Sequence, residues 1–215
     1  GGSEKSFVEK MKKKLAEWGI QSPHLINATG LNTQTISGDP DGKGDENQLS
    51  AYDIAVIAKH LLQDFPEVTK YTSKPTALFS NTQIENPNLM LEGMPNYRSG
   101  VDGLRVSNST KGGITFAAST TQNGIHMITV VLGVEAVDGD PYARFVATSS
   151  LMNYVVRTFV SSIVVKEGDP YGKSKATVMD RKSETVLAVA KKDFYIVEKQ
   201  GSQAEPKIQF KSNQE

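Results

Sequence analysis

Cysteine is absent from the 215 residues, tryptophan occurs once, and neither sign of charge is in excess, with 24 Lys and Arg against 24 Asp and Glu. Without cysteine there is no disulfide framework, zinc ribbon or thiol nucleophile. A formal net charge of zero removes long-range steering and the one-sided basic excess of a general nucleic-acid binder, so no nucleic-acid partner is expected. Long hydrophobic runs are missing as well. Stretches such as Ile128-Thr129-Val130-Val131-Leu132 have strand length, well short of the ~18–20 apolar residues of a membrane span. The start, Gly1-Gly2-Ser3-Glu4-Lys5, has neither an initiator Met nor the basic and apolar regions of a secretion signal. It reads as processed or excised. What remains is 38% hydrophobic, enough for the core of one large domain, or of a domain with a small companion.

The periodicity changes along the chain. Ser3 is placed to cap a helix reaching about Trp18, with Phe7, Met11, Leu15 and Trp18 on one face and Gly19 closing it. Some thirty residues of weak pattern follow. Ser50-x-x-Asp53 then has the form of a capping box for a second helix with an apolar stripe of Ile54, Ala55, Ala58, Leu61 and Leu62, ended by Pro66. From about Thr76 strands take over. Ile114–Ser119 and Ile125–Val131 flank Gln122-Asn123-Gly124, a strong hairpin signal. A third helix follows, with Asp140 as cap and Pro141 at its first position, carrying Phe145, Leu151, Met152, Tyr154, Val155 and Phe159 towards a core. Beyond Phe159 come short Val-rich runs split by Gly168-Asp169-Pro170, Met179-Asp180-Arg181 and Gln200-Gly201-Ser202. The expectation is an α+β part to residue 159, an antiparallel sheet with helices, followed by a small all-β domain from 160 to 215.

Several clusters invite chemistry. The run from Asp39 to Glu46 gathers carboxylates as oxygen-ligand cation sites do, but a calcium-loop count puts Ser50 at the closing position and Lys43 among the ligands; a solvated loop is expected. His24, His60 and His126 have no helical metal spacing, so no metal site is expected and ordinary surface or edge positions account for His60 and His126. The segment Ser107-Asn108-Ser109-Thr110-Lys111-Gly112-Gly113 lacks phosphate-loop spacing and reads as a turn into a strand. A Ser-His-Asp arrangement stays open, since triads are geometric, although no Gly-x-Ser-x-Gly elbow occurs.

More specific is Tyr97-Arg98-Ser99-Gly100-Val101-Asp102-Gly103-Leu104, followed by Arg105-Val106-Ser107 and the Gly112-Gly113 hairpin. This segment resembles the low-molecular-weight penicillin-binding proteins, the serine-type D-alanyl-D-alanine carboxypeptidases, in which Val-Asp-Gly-Leu precedes Lys-Thr-Gly on the strand bordering the active site. The resemblance extends to His24-x-x-Asn27-x-x-Gly30-Leu31, Leu49-Ser50-Ala51-Tyr52-Asp53, Asn81-Thr82 through Met90, and Asn123 through Gly133 with Tyr142-Ala143-Arg144-Phe145. It is closest to streptococcal members, and from Val160 onward it covers the family's β-rich C-terminal domain.

The resemblance implies a bacterial enzyme on the outer face of the cytoplasmic membrane or in the cell wall. It would trim peptidoglycan stem peptides ending in D-Ala-D-Ala through an acyl-serine, take β-lactams in its full form, and need no cofactor. The departures are equally informative. No serine has Lys at +3 or Asn at +2, although the family's chemistry needs Ser-x-x-Lys and Ser-x-Asn. The family places both upstream of Gly1, so the chain corresponds to the later part of a catalytic domain, with the N-terminal part of that domain as its missing partner. The C-terminal unit is expected to stop early, since Lys211-Ser212-Asn213-Gln214-Glu215 forms no anchoring helix.

No catalytic residue is assigned. Arg105, Val106 and Ser107 stand where Lys-Thr-Gly implies substrate binding. Arg105 keeps a cation of different shape, Val106 lacks the hydroxyl, and Ser107 adds a side chain where Gly allows close approach. Three readings remain open: a piece of the carboxypeptidase that is inactive alone, a non-catalytic relative binding peptidoglycan or a partner, and a structural module.

Overall fold

Ser3 opens the first helix. Its hydroxyl accepts a hydrogen bond from the Ser6 amide at 3.2 Å, and α1 runs Glu4–Glu17. The computed structural model describes residues 2–33, 44–109, 111–135, 139–177 and 185–202. These fall into two units, one reaching Asn153 and the other formed by residues 123–125 and the chain from Tyr154. The buried face of α1 is as expected at Met11, Leu15 and Trp18 but begins at Val8 rather than Phe7. Val8 and Leu15 join Ile20 and Leu25 in a core cluster against which Met11 and Trp18 pack, whereas Phe7 is exposed. Adjacent helical positions lie ~100° apart, so a stripe centred on Val8 turns Phe7 outward.

Ser50 and Asp53 cap the second helix reciprocally. The Asp53 amide donates to Ser50 Oγ at 3.1 Å, and the Ser50 amide donates to the Asp53 carboxylate at 3.0 Å. The helix, α2, spans Ala51–Asp64 and buries Ala58 and Leu62, while Val56 and Ile57 reach the α1 cluster. His60 is half-buried rather than a free surface group. Its ring stacks on Trp18, with centroids 4.3 Å apart and planes 3° from parallel. Pro66 then starts a 3-10 turn, Pro66–Val68, which leads into the short α3, Thr69–Thr72.

Strands β1 (Thr76–Phe79) and β2 (Thr82–Glu85) make an exposed antiparallel hairpin. The main sheet has the order β3-β4-β5, from Val101–Ser109, Gly113–Gln122 and Ile125–Val134. Asn123 and Gly124 join β4 to β5 with φ of +52° and +71°, the two left-handed positions of a type I′ turn. Gly100 has φ +85°, and a Cβ there would collide with the carbonyl of Thr121. Only glycine fits.

Burial alternates along β5, with Ile125, Met127, Thr129 and Val131 inward. Helix α4, Ala143–Thr158, meets the sheet through Phe145, edge-on to Phe116 at 5.5 Å. Asp140 Oδ1 accepts from the Tyr142 amide at 2.8 Å, but the helix starts at Ala143, so Asp140 and Pro141 lie ahead of the cap and first helical positions expected for them. Its inward face is Arg144, Phe145, Thr148 and Met152. Leu151 and Tyr154, expected in the core, are exposed. On the opposite face of the sheet His126 and Leu132 are exposed, and a cavity of about 520 Å³ lies between α2 and β5, lined by Val56, Lys59, His126 and Ile128.

After Thr158 the described residues contain strands only. β6 (Phe159–Val165) pairs antiparallel with β9 (Phe194–Lys199), and β7 (Pro170–Thr177) with β8 (Thr185–Val189). Asp193 ties this unit together by accepting from the Glu167 amide at 2.8 Å and the Tyr195 hydroxyl at 3.0 Å. The architecture is therefore α+β with an antiparallel sheet and helices, followed by a small all-β part. The expected turn at Met179-Asp180-Arg181, the carboxylates of Asp39 and Asp41, and the terminal Lys211–Glu215 lie outside the described residues.

Candidate functional site

β3 pairs only with β4 among the described residues and so forms one edge of the main sheet. At its start, Thr72 Oγ1 donates to the Asp102 carbonyl at 2.7 Å and Asn88 Nδ2 to the Gly103 carbonyl at 3.4 Å. The strand then places Arg105 and Ser107 two residues apart, on one face, as the period of two requires. Both line a cavity of about 110 Å³ with Asn32, Glu46 and Ser109. Val106 lines a different cavity, of about 390 Å³, together with Leu89, Arg144 and Phe145. The Arg105 side chain is exposed, and its guanidinium has no hydrogen-bond or ion-pair partner among the described residues.

Arg144 fixes the strand from the other face. It is 6% exposed and donates to the Ser107 carbonyl at 2.9 Å, the Thr115 carbonyl at 3.1 Å and Asn108 Oδ1. Ser107 and Thr115 are cross-strand partners, so one guanidinium spans a rung of the β3–β4 ladder. Burial lowers the pKa of Arg144 from its ordinary value, yet a guanidinium stays protonated in proteins. It is the matching of a fixed cation to two carbonyls that makes its burial tolerable.

The far end of β3 is held by the last residue of the expected loop. Glu46 is 5% exposed, which corrects its reading as part of a solvated loop. It accepts from Asn32 Nδ2 at 2.9 Å, Ser109 Oγ at 2.7 Å and the Lys111 amide at 3.4 Å. Its neighbour Asp45 pairs with His24 Nε2 at 2.8 Å and Lys111 Nζ at 3.4 Å. The hydrogen bond with His24 is the main cause holding the Asp45 carboxyl below the ordinary carboxylate range, followed by the bond from the Glu46 amide. Lys111 therefore has its ammonium on Asp45. The one serine–histidine contact among the described residues, Ser119 Oγ to His126 Nε2 at 3.1 Å, joins β4 to β5, and Ser119 is fully buried. Among the described residues no three His, Cys, Asp or Glu side chains gather as a metal site.

Sequence reasoning placed Arg105, Val106 and Ser107 on a sheet-edge strand but missed the two residues that hold that strand. The available signal for Arg144 was its place in Tyr142-Ala143-Arg144-Phe145, one of the stretches that carry the resemblance. Glu46 carried no local signal.

Residues 1–136 match the D-alanyl-D-alanine carboxypeptidase family, and the chain belongs to that family. It is 28% identical over 211 residues to the D-alanyl-D-alanine carboxypeptidase DacA of Haemophilus influenzae, covering 97% of this chain and 48% of that protein. Among solved structures it is similar to a peptidoglycan synthesis regulatory factor (PBP3) from Streptococcus pneumoniae, with 48% identity, TM-score 0.84, and coverage of 94% of this chain and 57% of the other. It also resembles penicillin-binding protein D2 from Listeria monocytogenes in its ampicillin-bound form, at 25% identity and TM-score 0.56 over 69% of this chain and 55% of the other. The chain spans about half the length of the curated relatives it matches. Members of this serine-peptidase family act on peptidoglycan in the cell envelope. No helix among the described residues is long and apolar enough to cross a membrane.

Proposed function

We propose that this chain is part of a D-alanyl-D-alanine carboxypeptidase whose whole form removes terminal D-Ala from peptidoglycan stem peptides through an acyl-serine, at the outer face of a bacterial membrane or in the wall. Residues 1–159 are read as the later part of the catalytic domain and residues 160–215 as its β-rich companion. Alone, the chain is inactive towards stem peptides and β-lactams. Nucleophilic catalysis needs a serine held within hydrogen-bond reach of its base, and no serine here has Lys at +3.

The remaining capacity is weak binding at Arg105, Val106 and Ser107. The observation that carries this is the unpartnered Arg105 guanidinium on an edge strand, directly after Val101-Asp102-Gly103-Leu104. An extended peptide can add to such an edge through its backbone, with its terminal carboxylate forked by Arg105. Val106 cannot donate the hydroxyl bond, a loss of ~1.5–3 kcal/mol, and an exposed ion pair returns only ~0–1 kcal/mol. Affinity is then no tighter than millimolar, about −4 kcal/mol.

The test has two arms. Incubation with a fluorescent penicillin yields no stable adduct on any serine; an adduct overturns the inactive reading. Titration with a D-Ala-D-Ala-terminated stem peptide moves the backbone amide signals of Arg105–Ser107; shifts confined to other surfaces overturn the binding reading. The second reading, a non-catalytic relative, is favoured by the replacement of Thr and Gly by Val106 and Ser107. The gene sequence upstream of Gly1 separates the two, since only the first reading requires Ser-x-x-Lys there.

A further inference from the structure

Glu46 is the most deeply buried carboxylate among the described residues and belongs to no motif that the family resemblance used. It lies 63 positions from Ser109, whose hydroxyl donates to it at 2.7 Å, and 65 from Lys111, whose amide donates to it at 3.4 Å. Ser109 in turn accepts from the Gly112 amide at 2.5 Å. The carboxylate and the Ser109 hydroxyl thus take up two backbone donors in the turn between β3 and β4, which no strand partner supplies. Such donors carry a full desolvation penalty when left unmade.

The segment that carries Glu46 is itself fixed. The Thr33 amide donates to the Asp45 carbonyl at 2.9 Å, the Asp45 amide donates to Thr33 Oγ1 at 2.8 Å, and the Gln48 amide donates to the His24 carbonyl at 2.8 Å. Asn32 donates to the other oxygen of Glu46 at 2.9 Å. The carboxylate therefore sits on a braced support and faces the same 110 Å³ cavity as Arg105 and Ser107.

We propose that Glu46 is a positioning residue that fixes the end of β3 and its turn, so that Arg105 and Ser107 face the cavity in one geometry. The inference rests on the reading of β3 as the peptide-binding strand, and it deepens that reading. Arg144 secures the strand at Ser107 from one face, and Glu46 secures it two residues later from the other. A strand end free to fray would present Arg105 in many orientations, and the ordering would be lost from an already weak association.

The experiment compares the wild-type chain with Glu46→Ala, Glu46→Gln and Ser109→Ala by amide hydrogen exchange, and by titration with the stem peptide. In Glu46→Ala the Lys111 and Gly112 amides are expected to exchange ten- to a hundredfold faster, the range for a lost bond to a charged group, while amides of α1 and α4 are unchanged. Glu46→Gln, which keeps the shape and one acceptor, falls between. Ser109→Ala combined with Glu46→Ala adds little to either alone, since both break one chain of bonds. In the titration, the peptide-induced shifts of Arg105–Ser107 shrink in Glu46→Ala with no change in the melting temperature of the all-β unit. Unchanged Lys111 and Gly112 exchange in Glu46→Ala overturns the inference, as does a wild-type titration in that variant. If the wild-type chain gives no shifts near Arg105, it is the binding reading that fails, and the exchange arm alone decides the role of Glu46.

Discussion

The guanidinium of Arg144 donates to the Ser107 carbonyl at 2.9 Å and to that of its cross-strand partner Thr115 at 3.1 Å. A helix side chain thereby holds β3 and β4 in register at Ser107. Replacement by Ala strands two carbonyls and the Asn108 side chain in a buried place. A loss of about 2–3 kcal/mol is expected, seen as a fall of roughly 4–12 °C in the melting temperature of a domain this size. Arg144→Lys is expected to recover less than half of it, because an ammonium cannot fork between two carbonyls and an amide oxygen. Thermal unfolding followed by circular dichroism decides this; equal stability of wild type and Arg144→Ala would falsify it.

Acid sensitivity centres on Asp45. Its folded pKa is depressed, chiefly by the bond with His24, so the stabilisation is present above the ordinary carboxylate value of ~3.9 and disappears as pH falls through the lower folded value. Asp45→Asn is expected to flatten the acid limb of the stability curve below pH ~4 and to leave its slope near neutrality alone. Urea midpoints measured across that range show whether the limb changes.

In the all-β unit, Asp193 raises the pKa of the Tyr195 phenol through their hydrogen bond, and its own pKa is lowered, first by the Glu167 amide and then by Tyr195. The tyrosine contribution is therefore complete below its ordinary value of 10.0 and lost as pH rises through the folded value. Asp193 contributes above the ordinary carboxylate range and is lost towards acid. Ultraviolet titration of the phenol is expected to show one late-ionising tyrosine that returns towards normal in Asp193→Asn. A spectrum unaltered by that substitution rules the coupling out.

The capping box of α2 is open to a graded test. Ser50→Ala removes the acceptor for the Asp53 amide and is expected to cost ~1 kcal/mol, whereas Ser50→Gly costs only a few tenths. The order of the two melting temperatures is the measurement, and an alanine variant as stable as the glycine one contradicts the assignment.

These residues also show what a sequence can carry. Ser3, the Ser50–Asp53 pair and the Asn123-Gly124 turn were legible because their chemistry is satisfied within four residues, where local spacing is the whole cause. Phe7 against Val8, and Leu151 and Tyr154 against Arg144 and Thr148, were not. Which of two adjacent apolar positions turns inward is set by the partner surface, and an arginine enters a core only where carbonyls from distant strands await it. That Arg105, Val106 and Ser107 lie on an edge strand was legible through the motif around them. Glu46 was not, because its partners lie 63 and 65 residues away and nothing in Asp45-Glu46-Asn47 tells a buried anchor from a solvated turn.

The stacking of Trp18 on His60 gives the molecule a built-in optical gauge. This is the chain's only indole, and it sits at the end of α1 with an imidazole from α2 parallel to it at 4.3 Å and the Lys14 ammonium 5.5 Å from its ring centroid. Its emission therefore reports one contact between two helices, undiluted by any second fluorophore of its kind. Parting α1 from α2 while the sheet stays intact would brighten or shift that signal before the circular dichroism of the strands changes, so the order in which the layers of this domain come apart can be read without attaching a label.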